Sequence, residues 1–321
     1  MDEHISRLAA GQGNVVLRRQ LLDAGYSDNE LYRLRQRGEL VLIRRGAYAE
    51  TRIWDVLDDL ERHKALVRAV LLQIKAPAVP SHISAAVMLG LRLWKPDLSV
   101  VHVTRTDLHS TRREAGVLHH GGALSDADLA PVDDGVIVTA PHRTAIDVAR
   151  VTGFEPAVVV ADAALTLLAN DHDLLLRTLD RMRDWPGARA AGRVVEFADG
   201  LSESVGESRA RVQFERVGLP RPRLQIVIGT ENQDRVDFLF EDECTVVEFD
   251  GRLKYGRLLA PGTDASDAVW REKRREDRIR EQGFGFARLV WADLYRDDVV
   301  RKRLRRAFSL ASRQPASVAL S

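Results

Sequence analysis

A single cysteine, Cys244, among 321 residues leaves no means of building an internal disulfide framework or a cysteine-ligated zinc site. That economy fits a reducing compartment, and the cytoplasm is the expected location. No N-terminal stretch joins basic residues to an apolar core and a small-residue cleavage site, so secretion is not expected. No apolar run approaches the roughly 20 residues needed to span a bilayer, so no membrane association is expected either. Repeats, low-complexity tracts and a coiled-coil seam are missing, and nothing sets an oligomeric state. Net charge is nearly missing too, at +1.

What is present is an ordinary globular composition, 45% hydrophobic and 30% charged, with enough apolar surface for real cores. At roughly 100–200 residues per domain, the length suggests two or three domains. The charges are unevenly placed. Arg274, Arg275, Arg278, Arg280, Arg301, Arg303, Arg305 and Arg306 crowd the C-terminal stretch, while acidic residues gather between Asp237 and Asp250. Cations for phosphates beside carboxylates for a metal suit a nuclease; a salt-bridged, solvated helix face is the alternative.

Local signals divide the chain into an expected mixed α/β (α+β) multidomain protein: residues 1–53, 54–200 and 201–311, with 312–321 as a disordered tail. In the first segment, Val15 to Ala24 reads as a helix stopped by Gly25. Ser27 and Glu30 form a capping box for a second helix that stops at Gly38. Leu40 to Ile43, the turn Arg44-Arg45-Gly46 and Ala47 to Ala49 then read as a hairpin. Helix, turn, helix and basic hairpin make a winged helix-turn-helix. The middle segment mixes helices with short strands, and Thr139 is the expected cap of a helix with Pro141 in its first turn. The last segment reads α–β–β–β–α–β–α, a mixed sheet flanked by helices.

In a helix-turn-helix the second helix offers its N-terminal side chains to base edges. Ser27, Asn29, Tyr32 and Arg33 are therefore candidate DNA contacts, with Arg44 and Arg45 of the wing on phosphates or in a minor groove. Asp28 and Glu30 oppose this, because carboxylates repel phosphate. A helical hairpin used for protein contact is the alternative.

The stretch from Leu17 to Tyr48 resembles the winged-helix domain of AbiEi-type antitoxins of bacterial type IV toxin–antitoxin systems. Arg18-Arg19-Gln20-Leu21, Ala24-Gly25, Leu31, Leu34, Gly38-Glu39-Leu40, Arg44-Arg45-Gly46 and Tyr48 carry the likeness. It continues more loosely through Ser81 to Ala86 and Thr139 to Asp147. The resemblance implies binding of double-stranded operator DNA, repression of the protein's own operon and a cognate toxin partner.

Carboxylates also mark the last segment. Asp237 lies in one apolar strand, and Glu248 and Asp250 lie two apart in the next. An antiparallel pairing can set Asp237 beside Glu248, and Glu207 on the preceding helix adds a fourth carboxylate. Such a group can hold Mg²⁺ or Mn²⁺ for phosphodiester hydrolysis, the metal generating the nucleophile and stabilising charge on the phosphate. Ion pairing of Asp237 and Glu248 with Arg235, Arg252 or Arg275 in a non-catalytic fold is the alternative. From about Ser202 to Ala307, the order of Glu207, Asp237, Glu248-x-Asp250-Gly251 and Glu276-Asp277-Arg278 resembles the restriction-endonuclease-like superfamily, in particular its very-short-patch-repair-like members. The resemblance implies a DNA endonuclease or nickase. The superfamily usually has lysine where Asp250 stands, and Lys254 and Lys273 are the candidates to supply that cation.

The remaining candidates are expected to be structural. His119 and His120 are adjacent on a strand and point to opposite faces, which argues against a shared metal. His82 and His142 lie near helix starts. Trp270 and Trp291 are expected in packing roles. Gly116, Gly121 and Gly122 do not make a phosphate loop.

Overall fold

The computed structural model describes residues 3–132, 135–229, 234–251 and 265–312. It is a mixed α/β protein, and its chain contacts gather it into two compact units. One comprises residues 1–160 with 171–196, the other residues 161–170 with 197–321. Among the described residues, no helix is long and apolar enough to cross a membrane.

The first unit begins with α1 (Glu3–Ala10), β1 (Val16–Leu17), α2 (Arg18–Asp23), α3 (Asp28–Gln36), β2 (Leu40–Arg44) and β3 (Ala47–Glu50). The strands form one sheet in the order β1-β3-β2, the arrangement of a winged helix. The expected helix over Val15 to Ala24 needs correction at its start. Val16 and Leu17 pair with Tyr48 and Ala47, so the chain is extended until Arg18. Burial decides this: Val15, Val16 and Leu17 are all buried, which a half-buried helix face does not allow for three successive residues. Ser27 and Glu30 make the expected capping box, and Gly25 and Gly38 take the positive φ values that end the two helices. Ile5, Val16, Leu21, Leu31, Leu34, Leu40 and Tyr48 form the core of this module.

The unit continues with α4 (Thr51–Trp54), α5 (Asp59–Gln73), β4 (Val79–Pro80), α6 (His82–Met88), β5 (Val101–Arg105), β6 (Arg112–Glu114), β7 (Val117–Gly121), β8 (Leu129–Pro131) and β9 (Ile137–Thr139). After these come α7 (Pro141–Val151), α8 (Phe154–Leu167), α9 (His172–Arg181) and α10 (Ala188–Phe197), of which α8 and α10 run into the second unit. Residues 1–53 share a core with the middle segment, because Val15, Leu17 and Ala47 pack with Ala65 and Ala69 of α5. The sheet β4-β5-β7-β6 has a parallel β5/β7 pair at its centre. Thr139 does not cap α7. Ala140 holds the cap position with Pro141 after it, while Thr139 is spent on Thr144, whose Oγ1 donates to its carbonyl at 2.8 Å.

The second unit contains α11 (Val205–Arg216), β10 (Arg223–Ile228), β11 (Asp234–Phe240), β12 (Thr245–Asp250), α12 (Ala265–Glu281), β13 (Gly285–Val290) and α13 (Asp297–Leu310), in the expected order. The sheet runs β10-β11-β12-β13, antiparallel except for the last pair. One face packs Leu224, Phe238, Phe240, Val247 and Leu289 against Phe214 of α11 and Val300 and Leu304 of α13. The other packs Ile226, Ile228, Val236, Val246 and Phe286 against Ile279 of α12. Of the expected tail, Ser312 is described and donates from its backbone to the Gly283 carbonyl, and residues 313–321 lie outside the described part.

Candidate nucleic-acid interface and strand-end carboxylates

α3 buries Leu31 and Leu34 and turns the opposite side to solvent. Asn29, Tyr32, Arg33 and Gln36 follow the i, i+3, i+4, i+7 spacing of one helix face, and all four are exposed. Tyr32 is 60% exposed on this face. Asn and Gln offer the paired donor and acceptor that match an adenine edge, Arg the fork that matches guanine. Gln36 is not among the contacts expected from sequence, because it lies beyond the first turns of the helix.

The two carboxylates that oppose DNA binding are consumed within the module. Asp28 is ion-paired with Arg18. Glu30 folds back to accept from the backbone N–H and the hydroxyl of Ser27, both at 2.7 Å. The same bonds occupy Ser27, whose hydroxyl caps the Glu30 N–H, so Ser27 serves the helix start.

The wing is asymmetric. Arg44 is half-buried, its Nη2 donates to the Ala115 carbonyl at 3.3 Å, and burial lowers its pKa. Arg45 is exposed at the tip, and its carbonyl accepts from Gln73 Nε2, which fixes the hairpin on α5. Gly46 takes φ of 76°, the left-handed value the tight turn needs.

In the second unit, the β11/β12 register pairs Phe238 with Val247, and one further step sets Asp237 opposite Glu248 as the sequence suggests. The pairing of β10 with β11 runs through Leu224↔Phe238 and Ile226↔Val236, which places Gln225 opposite Asp237. Gln225 has φ of 53°, and on both strands the buried side changes face there: Leu224 and Phe238 join one core, Ile226 and Val236 the other. A left-handed non-glycine residue is strained, and such strain collects at functional positions. Gln225 Nε2 donates to Glu207 Oε2 at 3.0 Å. Glu207 also accepts from the Glu203 N–H and the Ser204 hydroxyl.

Asp237 Oδ2 accepts from the Phe249 N–H at 2.8 Å. Burial raises its pKa, and the nearby Glu207 adds to the rise. Burial likewise raises Glu248, against the pull of Arg275. Arg275 Nη2 lies 2.5 Å from Glu248 Oε1, and Arg288 lies 3.5 Å from Oε2. Asp250 ends β12, half-buried. Lys273 is exposed on α12, and Lys254 and Arg252 lie outside the described residues.

Half of the eight arginines that crowd the C-terminal stretch are engaged in ion pairs, Arg275 among them. Arg278 reaches Asp234 at 2.9 Å, Arg280 reaches Glu276 at 2.8 Å and Arg303 reaches Asp293 at 2.5 Å. Trp291 packs edge-on against Phe249 as expected, but Trp270 is 59% exposed, its ring covered by Arg274 at 4.2 Å. Among the described residues, three possible metal-ligand atoms converge at histidines of the first unit, His82, His102 and His120, not at these carboxylates.

Two curated Mycobacterium tuberculosis proteins, Uncharacterized protein MT2308 (strain CDC 1551 / Oshkosh) and Uncharacterized protein Rv2248 (strain ATCC 25618 / H37Rv), are each 30% identical to this chain over 165 residues. The alignment covers 51% of this chain and 58% of each relative, so the chain spans little more than half their length. Among solved structures, the RV2827C protein from Mycobacterium tuberculosis superposes with a TM-score of 0.40 at 18% identity, covering 65% of this chain and 80% of that one. Residues 3–51, which are the winged-helix module, match the family model described as "Transcriptional regulator, AbiEi antitoxin".

Proposed function

We propose that this chain is a DNA-binding transcriptional regulator of the AbiEi antitoxin type, which binds double-stranded DNA at its own promoter and has a cognate toxin as partner. The observation that carries this is the coincidence of the matched residues with a winged helix whose α3 presents Asn29, Tyr32, Arg33 and Gln36. The ion pair of Asp28 with Arg18 supports it, because it offsets part of the repulsion a phosphate would meet. The test is footprinting of the full chain on the DNA upstream of its gene, with Asn29→Ala and Arg33→Ala. Each variant is expected to lose about 1–3 kcal/mol of discrimination at one base position. Protection no stronger than on unrelated DNA sinks this reading.

A second reading, a Mg²⁺- or Mn²⁺-dependent DNA endonuclease or nickase, is favoured by the strained Gln225 that faces Asp237 and binds Glu207. Glu207, Asp237, Glu248 and Asp250 are the residues that would hold the metal, with Lys254 or Lys273 as the assisting cation. A cation on Glu248 has to displace Arg275, which ranks this reading second. Supercoiled plasmid incubated with either metal tests it. Nicking that disappears in Asp237→Ala and Glu248→Ala supports it, and an intact plasmid with DNA binding retained overturns it.

A further inference from the structure

The middle of the first unit carries a cluster that neither reading uses. His102 and His120 lie on the neighbouring parallel strands β5 and β7, in a register that pairs His102 with Leu118 and Thr104 with His120. Residues two apart share a face, so both imidazoles stand on the same side of the sheet. His102 Nδ1 is 3.0 Å from His120 Nε2. His82, the first residue of α6, stacks its ring on that of His120 with centroids 3.6 Å apart. One nitrogen from each of the three rings lies within 4.8 Å of the other two.

Three features distinguish this cluster from a packed aromatic core. His82 is held at φ of 52°, a left-handed conformation that a non-glycine residue adopts at a cost, and this places its ring on the other two. His82 Nδ1 is 2.9 Å from the Ser81 hydroxyl, which leaves Nε2 for a ligand and fixes the ring as outer-shell partners of metal-bound histidines do. Finally, all three imidazoles are kept neutral, the state in which imidazole binds metals. Burial lowers His82 well below its ordinary value, burial with repulsion from His63 takes His102 to about 4, and burial with repulsion from His82 and His102 takes His120 to about 2.

We propose that His82, His102 and His120 form a three-imidazole site for a late first-row transition metal, zinc in the first instance. Imidazole suits zinc, copper and nickel, and three protein ligands with one exchangeable position is a common zinc arrangement. His82 and His120 line a cavity of about 1000 Å³ together with Thr104, Arg143, Arg150 and Trp185, from which a fourth ligand would reach a bound ion. Arg143 and Arg150 both bind the buried Asp147, at 2.9 and 3.2 Å, and Arg143 also lies 3.4 Å from Asp128. Arg143 Nη2 and Thr104 Oγ1 are buried there without a hydrogen-bond partner. Orphaned donors are costly and call for a ligand. Unpartnered donors beside a cation suit an anion, so the fourth ligand is an oxyanion such as phosphate.

The experiment is titration of the full, untagged chain with Co²⁺ as spectroscopic probe and Zn²⁺ as competitor. The expected result is one equivalent of Co²⁺ with the visible spectrum of a four-coordinate ion, displaced by Zn²⁺ and altered by inorganic phosphate. His102→Gln and His120→Gln each lose that spectrum, and Ser81→Ala weakens affinity by about 10-fold. Absence of saturable binding by the wild-type chain, or an unchanged spectrum in the two folded histidine variants, overturns the site. If those variants do not melt cooperatively in chelator, Ser81→Ala decides, and unchanged affinity in that variant overturns it equally. A spectrum indifferent to phosphate overturns the open anion position.

Discussion

Arg18, the first residue of α2, holds the carboxylate of Asp28, the first residue of α3, across the turn of the helix-turn-helix. Both side chains are largely exposed, so the pair adds little to stability. Its consequence is electrostatic: a carboxylate at the end of the helix proposed to meet DNA is masked, and one arginine is withheld from phosphate. Asp28→Asn therefore frees Arg18. Binding to a nonspecific duplex is expected to tighten, and the slope of log K against log salt to steepen by about 0.9, the increment for one further phosphate contact. Fluorescence anisotropy over a salt series measures both. An unchanged slope means that Arg18 does not face the backbone.

The two wing arginines are expected to behave differently. Arg45→Ala weakens binding evenly across sequences and lowers the salt slope by about 1, as loss of one phosphate contact does. Arg44→Ala falls instead on stability, because the half-buried guanidinium bonds the Ala115 carbonyl. The thermal midpoint drops while the salt slope stays close to wild type. Equal slopes for the two variants contradict the assignment of Arg45 as the DNA-facing residue.

The contrast between these arginines marks the reach of local sequence signals. Capping residues, glycine stops and alternation act over a few positions, and they located α3, the β2/β3 hairpin and the whole element order of the second unit. The same short-range logic set Asp237 opposite Glu248, because a strand pair joined by a tight turn has its register fixed locally. What failed needed partners distant in sequence. Val16 and Leu17 are extended because they pair with Tyr48 and Ala47. The histidine cluster joins α6, β5 and β7, three elements with no common spacing motif. The one available signal was strand alternation, which separates His120 from His119 but cannot name His82 or His102 as its neighbours.

His63 is one of the histidines, with His82, His102 and His120, whose lowered pKa values give the first unit a pH dependence. Its ring lies buried on α5, 3.0 Å from the Leu98 carbonyl and 2.9 Å from the Ser84 hydroxyl, and burial lowers its pKa below the ordinary 6.5. Below that value the unfolded chain takes up a proton that the folded chain refuses. Stability is therefore fully present above about pH 6.5 and falls as pH drops toward the depressed folded value. Urea unfolding in chelator at about pH 7.5 and about pH 5.5 is expected to show lower stability at the acid value. His63→Gln retains a donor and an acceptor but cannot charge, so it reduces the difference. An undiminished pH dependence in that variant would assign it to other groups.

The buried ion pair of the second unit should be its most sensitive charged position. Asp162 is fully buried, and Arg211 is 9% exposed on α11. Arg211 Nη1 donates to Asp162 Oδ2 at 2.8 Å, and Nη2 donates to the Phe197 carbonyl. The second oxygen of Asp162 accepts from the Asp199 N–H at 2.8 Å. Burial pushes the Asp162 pKa up, and the arginine holds it down. Removing only the cation leaves a desolvated carboxylate, at a cost of about 3–5 kcal/mol for Arg211→Ala. Removing both charges is far milder, because an apolar pair of similar volume escapes the desolvation penalty. The double variant Arg211→Met with Asp162→Leu is therefore expected to be more stable than Arg211→Ala. Equilibrium denaturation of the single and double variants decides this, and a double variant less stable than Arg211→Ala would show that the hydrogen bonds to Phe197 and Asp199 outweigh the ion pair.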